Sequence, residues 1–303
     1  MNLVVSVFIL LLLNVSTVAA RVYNGEEMVV GYAKTYTIKK GDSLVEIARR
    51  FGLGFNEIAE ANPEVDPFVP ERGTRIVIPS AWILPDVPPT ASIVINLSEL
   101  RLYHFYNAGS RRKVATYPVG IGSEGNDTPL GSFRIKEKRE FPSWRVPRSI
   151  LRERPELPPV VPPGDENPLG THALRLSKLS ILIHGTNRPF GVGRRVSHGC
   201  IRLYPEDIPL LFERAAIEEG VMIVRQPVKL GTKGKRVFIE VHADPAETDY
   251  LNDAAYLLVK KDMVHRVDFQ KVFQAIAEKR GVPVEITGEL MSEQGQGQAS
   301  LAQ

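Results

Sequence analysis

The chain contains one cysteine in 303 residues, Cys200, so no disulfide can form within it. It also lacks any block of basic residues: 38 Lys and Arg against 35 Asp and Glu leave a net charge of only +3, spread along the sequence. That spread argues against a nucleic-acid partner, and no nucleotide partner is expected. Charge is missing altogether from the side chains of residues 1–20, MNLVVSVFILLLLNVSTVAA. The apolar run is too short for a comfortable membrane span and ends in small residues, so it reads as a secretory signal cleaved after Ala20. No Lys or Arg precedes the run, which leaves an uncleaved N-terminal anchor as the alternative. Either way the rest of the chain lies outside the cytoplasm, and the absence of a cysteine just after the run excludes a lipoprotein anchor. In an oxidising compartment an unpaired thiol without a task is a liability, which singles out Cys200.

What is present suits a soluble, turn-rich protein of about two domains: 43% apolar residues, 24% charged, 23 prolines and 24 glycines. Residues 35–80 form a compact unit. A strand at 36–38 leads to a Gly41-Asp42 turn. Ser43 and Glu46 have capping-box spacing for a helix whose apolar face is Leu44, Ile47, Ala48 and Phe51, stopped at Gly52. A second helix carries Phe55, Ile58 and Ala59 and ends at Asn62-Pro63, and a strand at 75–79 closes the unit. Residues 81–91, AWILPDVPPTA, read as a semi-rigid linker.

A second domain is expected over 92–225. Strands at 93–97 and 100–106 look like a hairpin about Ser98-Glu99, and further short strands fall at 114–120, near 133, at 173–176 and at 181–184. Their density argues for a β-sandwich or barrel-like core. Residues 141–169 are rich in proline and permit at most a short helix near 149–153. Trp144 and the Pro-Pro-Val-Val-Pro-Pro run are too apolar for a loop that touches nothing, so the segment is predicted to be a lid. An amphipathic helix is predicted over 205–219, with Ile208, Leu211, Phe212 and Ala215 inward and Gly220 as its stop. Residues 226–290 read as a C-terminal extension, with a strand at 237–242 and a helix at 268–279 that turns Val272, Phe273 and Ile276 inward. The polar tail 291–303 has the composition of disorder.

The chemistry concentrates in residues 181–207, ILIHGTNRPFGVGRRVSHGCIRLYPED. A thiol reacts as the thiolate and needs a base. Cys200 is the candidate nucleophile, with His184 or His198 as base. His198 lies two residues away and shares a face in extended backbone. His184 closes an apolar strand, where a rigid element can aim it. Spacing alone leaves both open. His104, His242 and His265 read as structural or surface groups, while His172 is a candidate pocket residue.

The order His184-Gly185-Thr186, Gly193 and Ser197-His198-Gly199-Cys200-Ile201-Arg202 resembles the catalytic motif of the L,D-transpeptidase (YkuD) family. Tyr117-Pro118-Val119-Gly120, Thr128-Pro129 with Gly131 and Phe133, and Asn167-Pro168-Leu169-Gly170 match it as well. The resemblance implies Cys200 as nucleophile and His184 as base, oriented by a carbonyl near Gly185. It also implies His198 lining the site beside an oxyanion hole at Ser197, His198, Gly199 and Cys200, and Arg202 holding an anionic substrate group or bracing the loop. The unit at 35–80 resembles a LysM domain, which implies binding of N-acetylglucosamine-containing glycans near Gly41, Asp42, Ser43, Asn62 and Pro63. Together these imply a mostly β catalytic domain, sandwich-like with a short helix after the cysteine motif, plus a βααβ LysM unit. The implied enzyme is periplasmic and acts on tetrapeptide stems of peptidoglycan without metal or organic cofactor. The LysM unit at the front, the proline-rich insertion above all, and the C-terminal extension resemble subfamilies whose acceptor is the C-terminal lysine of an outer-membrane lipoprotein. Diaminopimelate cross-linking and L,D-carboxypeptidase or amidase activity are the alternatives, and a non-catalytic wall-binding protein is the reading from another class.

Overall fold

The computed structural model describes residues 21–178, 180–246 and 248–288, so the predicted signal segment and tail lie outside the described residues. One nine-stranded sheet organises the protein. Its strands run in the order Arg21–Asn24, Arg111–Pro118, Arg101–Ala108, Ile93–Asn96, Gly220–Val224, Gly131–Glu140, His172–Leu176, Leu182–His184 and Ile201–Arg202. Most neighbours are antiparallel. Ile93–Asn96 runs parallel to Gly220–Val224, and Leu182–His184 runs parallel to Ile201–Arg202. The sheet curls until its last strand reaches the chain just beyond Arg111–Pro118, where Gly120 and Arg202 exchange backbone hydrogen bonds at 2.8 Å each way.

Strand alternation explains the curl, because side chains of period two serve two different interiors. Ile93, Ile95, Leu102, Ala115 and Tyr117 point inward, together with Ile135, Leu174, Ile183 and Ile201 from the other half of the sheet. The helix Ile208–Arg214 closes this core with Ile208 and Leu211. The intervening residues Val94, Tyr103, Phe105 and Val114 point out the back. There they join one core with Ile38, Leu44, Ile47, Leu53, Ile58 and Ile76 of the N-terminal unit.

That unit has the predicted strand–helix–helix–strand order: Lys34–Thr37, Leu44–Arg50, Phe55–Ala61 and Arg75–Ile78. Ser43 caps the first helix, accepting from the Glu46 N–H. The unit is welded to the sheet rather than tethered to it. Arg101 of the sheet is fully buried and forms a bidentate pair with Glu57 at 2.7 and 2.8 Å. Trp82 N–H also donates to Glu57, and the Arg101 guanidinium lies 4.1 Å over the Trp82 ring. Residues 81–91 therefore do not form a free linker. Ala81–Ile83 is a strand paired with Val29–Gly31, and its Ala-Trp-Ile side chains are buried before the prolines begin.

The C-terminal unit pairs the strands Val228–Lys233, Arg236–Val241 and Val284–Glu285 beneath the helices Tyr250–Lys260 and Phe269–Glu278. Val272 and Ala275 form the buried stripe of the second helix, while Phe273 is exposed, unlike the predicted face. Lys229 enters the junction of all three units, 2.7 Å from Glu99 and 2.9 Å from Glu240, and also donates to the Ile83 carbonyl. His242 sits beside Glu240 at 2.7 Å and Glu60 at 3.4 Å.

Candidate active site

The site is built on one sheet face by register. Leu174, Ile183 and Ile201 face the core, so the residues between them turn the other way. Ala173 stands opposite His184, Arg175 opposite Leu182, and His184 opposite Arg202. Cys200 precedes Ile201, which puts it on the same face as Arg202 and beside Leu182, diagonal to His184. The Leu182 N–H faces the Cys200 sulfur, and the thiol lies 3.6 Å from the Ser180 carbonyl. The two candidate reactive groups are thus brought together by one parallel strand pair, His184 at the end of Leu182–His184 and Cys200 immediately before Ile201–Arg202.

His184 is buried, and its Nδ1 lies 2.6 Å from the Gly185 carbonyl. A carbonyl only accepts, so the proton sits on Nδ1 and leaves Nε2 as the free base. Burial, and then the charge of Arg202, push the imidazole down to about 3, against the carbonyls of Gly185 and Leu169. Burial also pushes the Cys200 thiol above its ordinary value, against the Leu182 N–H and the charges of Arg202 and Arg175. Both shifts favour the neutral form of each group.

The loop around the thiol is fixed by its own polar groups. Ser197 Oγ donates to the Cys200 carbonyl at 2.6 Å. Gly199 has φ +94°, which favours glycine, and its carbonyl accepts from Thr128 Oγ1 at 3.1 Å. Thr128, noted in the sequence only as part of a motif, holds both this turn and the Gly122 N–H. Gly185 lies so close to the Ile208 side chain that a Cβ would meet it at 2.9 Å. His198 turns to the rim, where its Nε2 lies 3.3 Å from Glu153 at the end of the helix Arg148–Glu153.

That helix belongs to the proline-rich segment, which is therefore in contact with the candidate site. Asn167 fixes the base of the segment. It is fully buried, donates to the carbonyls of Pro142 and Pro162 at 2.8 and 2.9 Å, and accepts from the Leu169 N–H. Gly170 then packs on the backbone of Gly185 and Thr186. A small pocket lies between this base and the sheet, lined by Glu137, Arg139, Pro142, Leu169, Arg175 and Leu182.

The expected glycan residues are placed differently. Asn62 is 1% exposed, and its amide is consumed by Ile58, Val77 and the Val77 N–H, so it is a structural brace rather than a groove residue. Asp42 accepts from Tyr36, Lys39 and Arg50, and Ser43 is occupied with Glu46. Gly41 and Pro63 are exposed. The most exposed large apolar groups of the unit are Phe68 and Val69, at 60% and 80%, which carried no signal in the sequence. Phe68 stacks on Phe55, and Arg194 of the catalytic loop lies 3.8 Å over the Phe55 ring.

Fold and motif define the class: this chain belongs to the YkuD family and is an L,D-transpeptidase. The family profile, an L,D-transpeptidase catalytic domain, matches residues 90–239, and a LysM domain profile matches residues 36–79. The first match passes the predicted boundary at 225 and takes in the opening strands of the C-terminal unit. Among named relatives, the probable L,D-transpeptidase YcfS of Escherichia coli K12 is 42% identical over 230 residues, 72% of this chain and 70% of that protein. YbiS of the same strain, also a probable L,D-transpeptidase, is 41% identical over 229 residues, 73% of each chain. The probable L,D-transpeptidase ErfK/SrfK of Salmonella typhimurium is 35% identical over 276 residues, 85% of this chain and 87% of that protein. Together the two domains indicate that the chain binds peptidoglycan. No described helix is long and apolar enough to cross a membrane.

Proposed function

We propose that Cys200 is the nucleophile and His184 the base of an acyl transfer between peptidoglycan stems and an amine. The observation that carries this is the shared face of Cys200 and His184, with the Nδ1 proton fixed on the Gly185 carbonyl. His184 Nε2 takes the thiol proton as sulfur attacks the carbonyl on the L-centre of diaminopimelate in a tetrapeptide stem. N–H groups of residues 198–200 receive the developing oxyanion. The C–N bond breaks, D-Ala leaves with the proton from His184, and a thioester remains on Cys200. An acceptor amine then attacks the thioester, its proton passes through His184 to the departing thiolate, and a new amide is released. His198 and Arg202 line the site, and no metal or organic cofactor takes part.

The acceptor we favour is the C-terminal lysine of an outer-membrane lipoprotein, reached in the periplasm after export through the 1–20 signal. What supports it is the LysM unit at the front, the proline-rich insertion and the C-terminal extension. Phe68 and Val69, which follow the Pro67 carbonyl that accepts from the Leu44 N–H, are the glycan-facing residues of the LysM unit in this reading.

Mass spectrometry of the protein with a disaccharide-tetrapeptide, with and without a lysine-ended acceptor peptide, tests both levels. The expected result is loss of D-Ala, an adduct on Cys200, and no adduct in Cys200→Ala. An active Cys200→Ala protein would sink the mechanism. Transfer to diaminopimelate amines alone would replace the lipoprotein acceptor with stem-to-stem cross-linking.

A further inference from the structure

Thr128 meets the turn before the thiol with a hydroxyl that has only one proton to give. It is buried on the loop between the strands Ile121–Gly122 and Gly131–Glu140. Its Oγ1 lies 3.0 Å from the Gly122 nitrogen and 3.1 Å from the Gly199 carbonyl oxygen. The Gly122 N–H is a donor, so the hydroxyl must accept there, and its single proton is committed to Gly199. The loop is fixed in turn. Ser123 N–H donates to the Ser197 carbonyl and Asn126 N–H to the Ser123 carbonyl. Gly122 is packed so tightly on Asn126 that a Cβ would collide with its carbonyl. On the other side of the thiol, Ser197 Oγ holds the Cys200 carbonyl. The two peptide planes that flank the Cys200 Cα are thus each pinned by a hydroxyl, Gly199–Cys200 by Thr128 and Cys200–Ile201 by Ser197.

A trans peptide points its C=O and its N–H to opposite sides. Holding the Gly199 carbonyl on Thr128 therefore turns the Cys200 N–H away from the buried loop. Among the described residues that N–H donates to no backbone or side-chain acceptor. Cys200 is partly exposed, so a carbonyl carbon can reach its sulfur, and the N–H of the same residue is a donor close to the oxygen of an acyl group held there. We propose that Thr128 is a positioning residue of the acyl transfer, which keeps the Cys200 N–H directed at the developing oxyanion by holding the Gly199 carbonyl. Its hydroxyl acts through the peptide and not on the substrate. Oxyanion stabilisation depends on donors whose direction is set before the charge appears. Without the hydroxyl, the Gly199–Cys200 peptide can rotate about its two flanking bonds and that direction is lost. A serine can make both hydrogen bonds, while a valine of the same shape can make neither. This rests on the acyl-transfer reading above and deepens it.

Two electrophiles separate this role from a merely structural one. Acylation of Cys200 by the disaccharide-tetrapeptide builds an oxyanion. Alkylation by iodoacetamide displaces iodide at a saturated carbon and builds none. In Thr128→Val the single-turnover rate of acylation is expected to fall about 10- to 100-fold, less than for outright deletion of such a donor. The substrate concentration for half-saturation and the alkylation rate of the folded protein are each expected to stay within about twofold. Thr128→Ser is expected to recover most of the acylation rate. An unchanged acylation rate in Thr128→Val, a parallel loss of alkylation, a loss carried by half-saturation alone, or no recovery in Thr128→Ser would each overturn the assignment. Thermal midpoints identify folded protein, and Thr128→Ala carries the same comparison if the valine variant does not fold. Failure of the acyl-transfer reading shows separately, as absence of a Cys200 adduct in the unsubstituted protein before any variant is compared.

Discussion

At the scale of single residues, burial favours the neutral forms of both His184 and Cys200 in the proposed mechanism. The burial that pushes His184 down to about 3 and the Cys200 thiol up means that no thiolate–imidazolium pair is stored at rest. Cys200 is the sole cysteine, so its alkylation by iodoacetamide reads the thiolate directly. The rate is expected to climb with pH beyond the ordinary thiol value of 9.0. A plateau between pH 5 and 8 would mean a preformed thiolate and contradict the site described. His184→Ala is expected to remove acylation, while His198→Ala leaves most of it, because His198 points to Glu153; the reverse pattern would exchange their roles. Sequence spacing left the two histidines level. The strand register and the Gly185 carbonyl, neither visible in a list of residues, are what favour His184 in the proposed mechanism. Thr128 was legible as a motif position, but the carbonyl it holds was not.

At the scale of elements, patterns that rest on local physics were legible. Ser43 and Glu46 cap where their spacing says, and the proline-rich segment holds a single helical stretch close to 149–153. What tertiary packing decides was less so. The helix predicted over 205–219 ends at Arg214, because Ala215 turns extended and Glu218, at φ +66°, donates to the Ile135 carbonyl of the sheet. The hairpin expected about Ser98-Glu99 ends its ladder at Asn96 and Arg101, because Leu97 donates to Val224 and Leu100 takes φ +57°. Two contacts between elements bear on activity. Gly193, at φ +77°, lies so close to the second helix of the LysM unit that a Cβ would stand 2.1 Å from the Phe55 nitrogen. Gly193→Ala is expected to cost about 2 kcal/mol or more in denaturant unfolding and to slow turnover, since it moves the catalytic loop. Asn167→Ala strips the base of the proline-rich segment of its donors. It is expected to cost about 1–3 kcal/mol and to lower kcat more than it raises KM, through the Leu169–Gly170 backbone that packs on His184 and Gly185. Unchanged kcat would separate the segment from the chemistry.

At the scale of the whole molecule, the sequence suggests beads on a string and the structure shows one body. The periodicity of residues 36–79 marks a unit, but nothing local reveals that Val94, Tyr103 and Phe105 complete its core. Removing residues 35–80 is therefore expected to unfold the catalytic sheet rather than yield a soluble enzyme with weaker wall binding. Arg101→Ala is expected to destabilise by about 3–5 kcal/mol, because Glu57 is left buried and unpaired, and Arg101→Met/Glu57→Leu to recover most of that loss. The three-way junction adds a pH dependence. The carboxylates of Glu240, Glu60 and Glu99 raise His242 from an ordinary 6.5 to about 10 against its burial. Its stabilisation is complete below 6.5 and is lost as pH rises through about 10, so thermal midpoints should fall over that range and fall less in His242→Gln. The same junction also governs when the protein can fold. Lys229 and Glu240 pair with Ile83, 146 and 157 residues earlier in the chain. The Arg21–Asn24 strand is made long before its partner Arg111–Pro118. Such distant pairings carry a large loop-closure entropy and fold slowly. During synthesis the early segments must wait, unpaired, for residues that have yet to be made. A chain truncated before Lys229 is therefore expected to lack the junction and to be cleaved by protease faster than the full chain, which limited proteolysis would read.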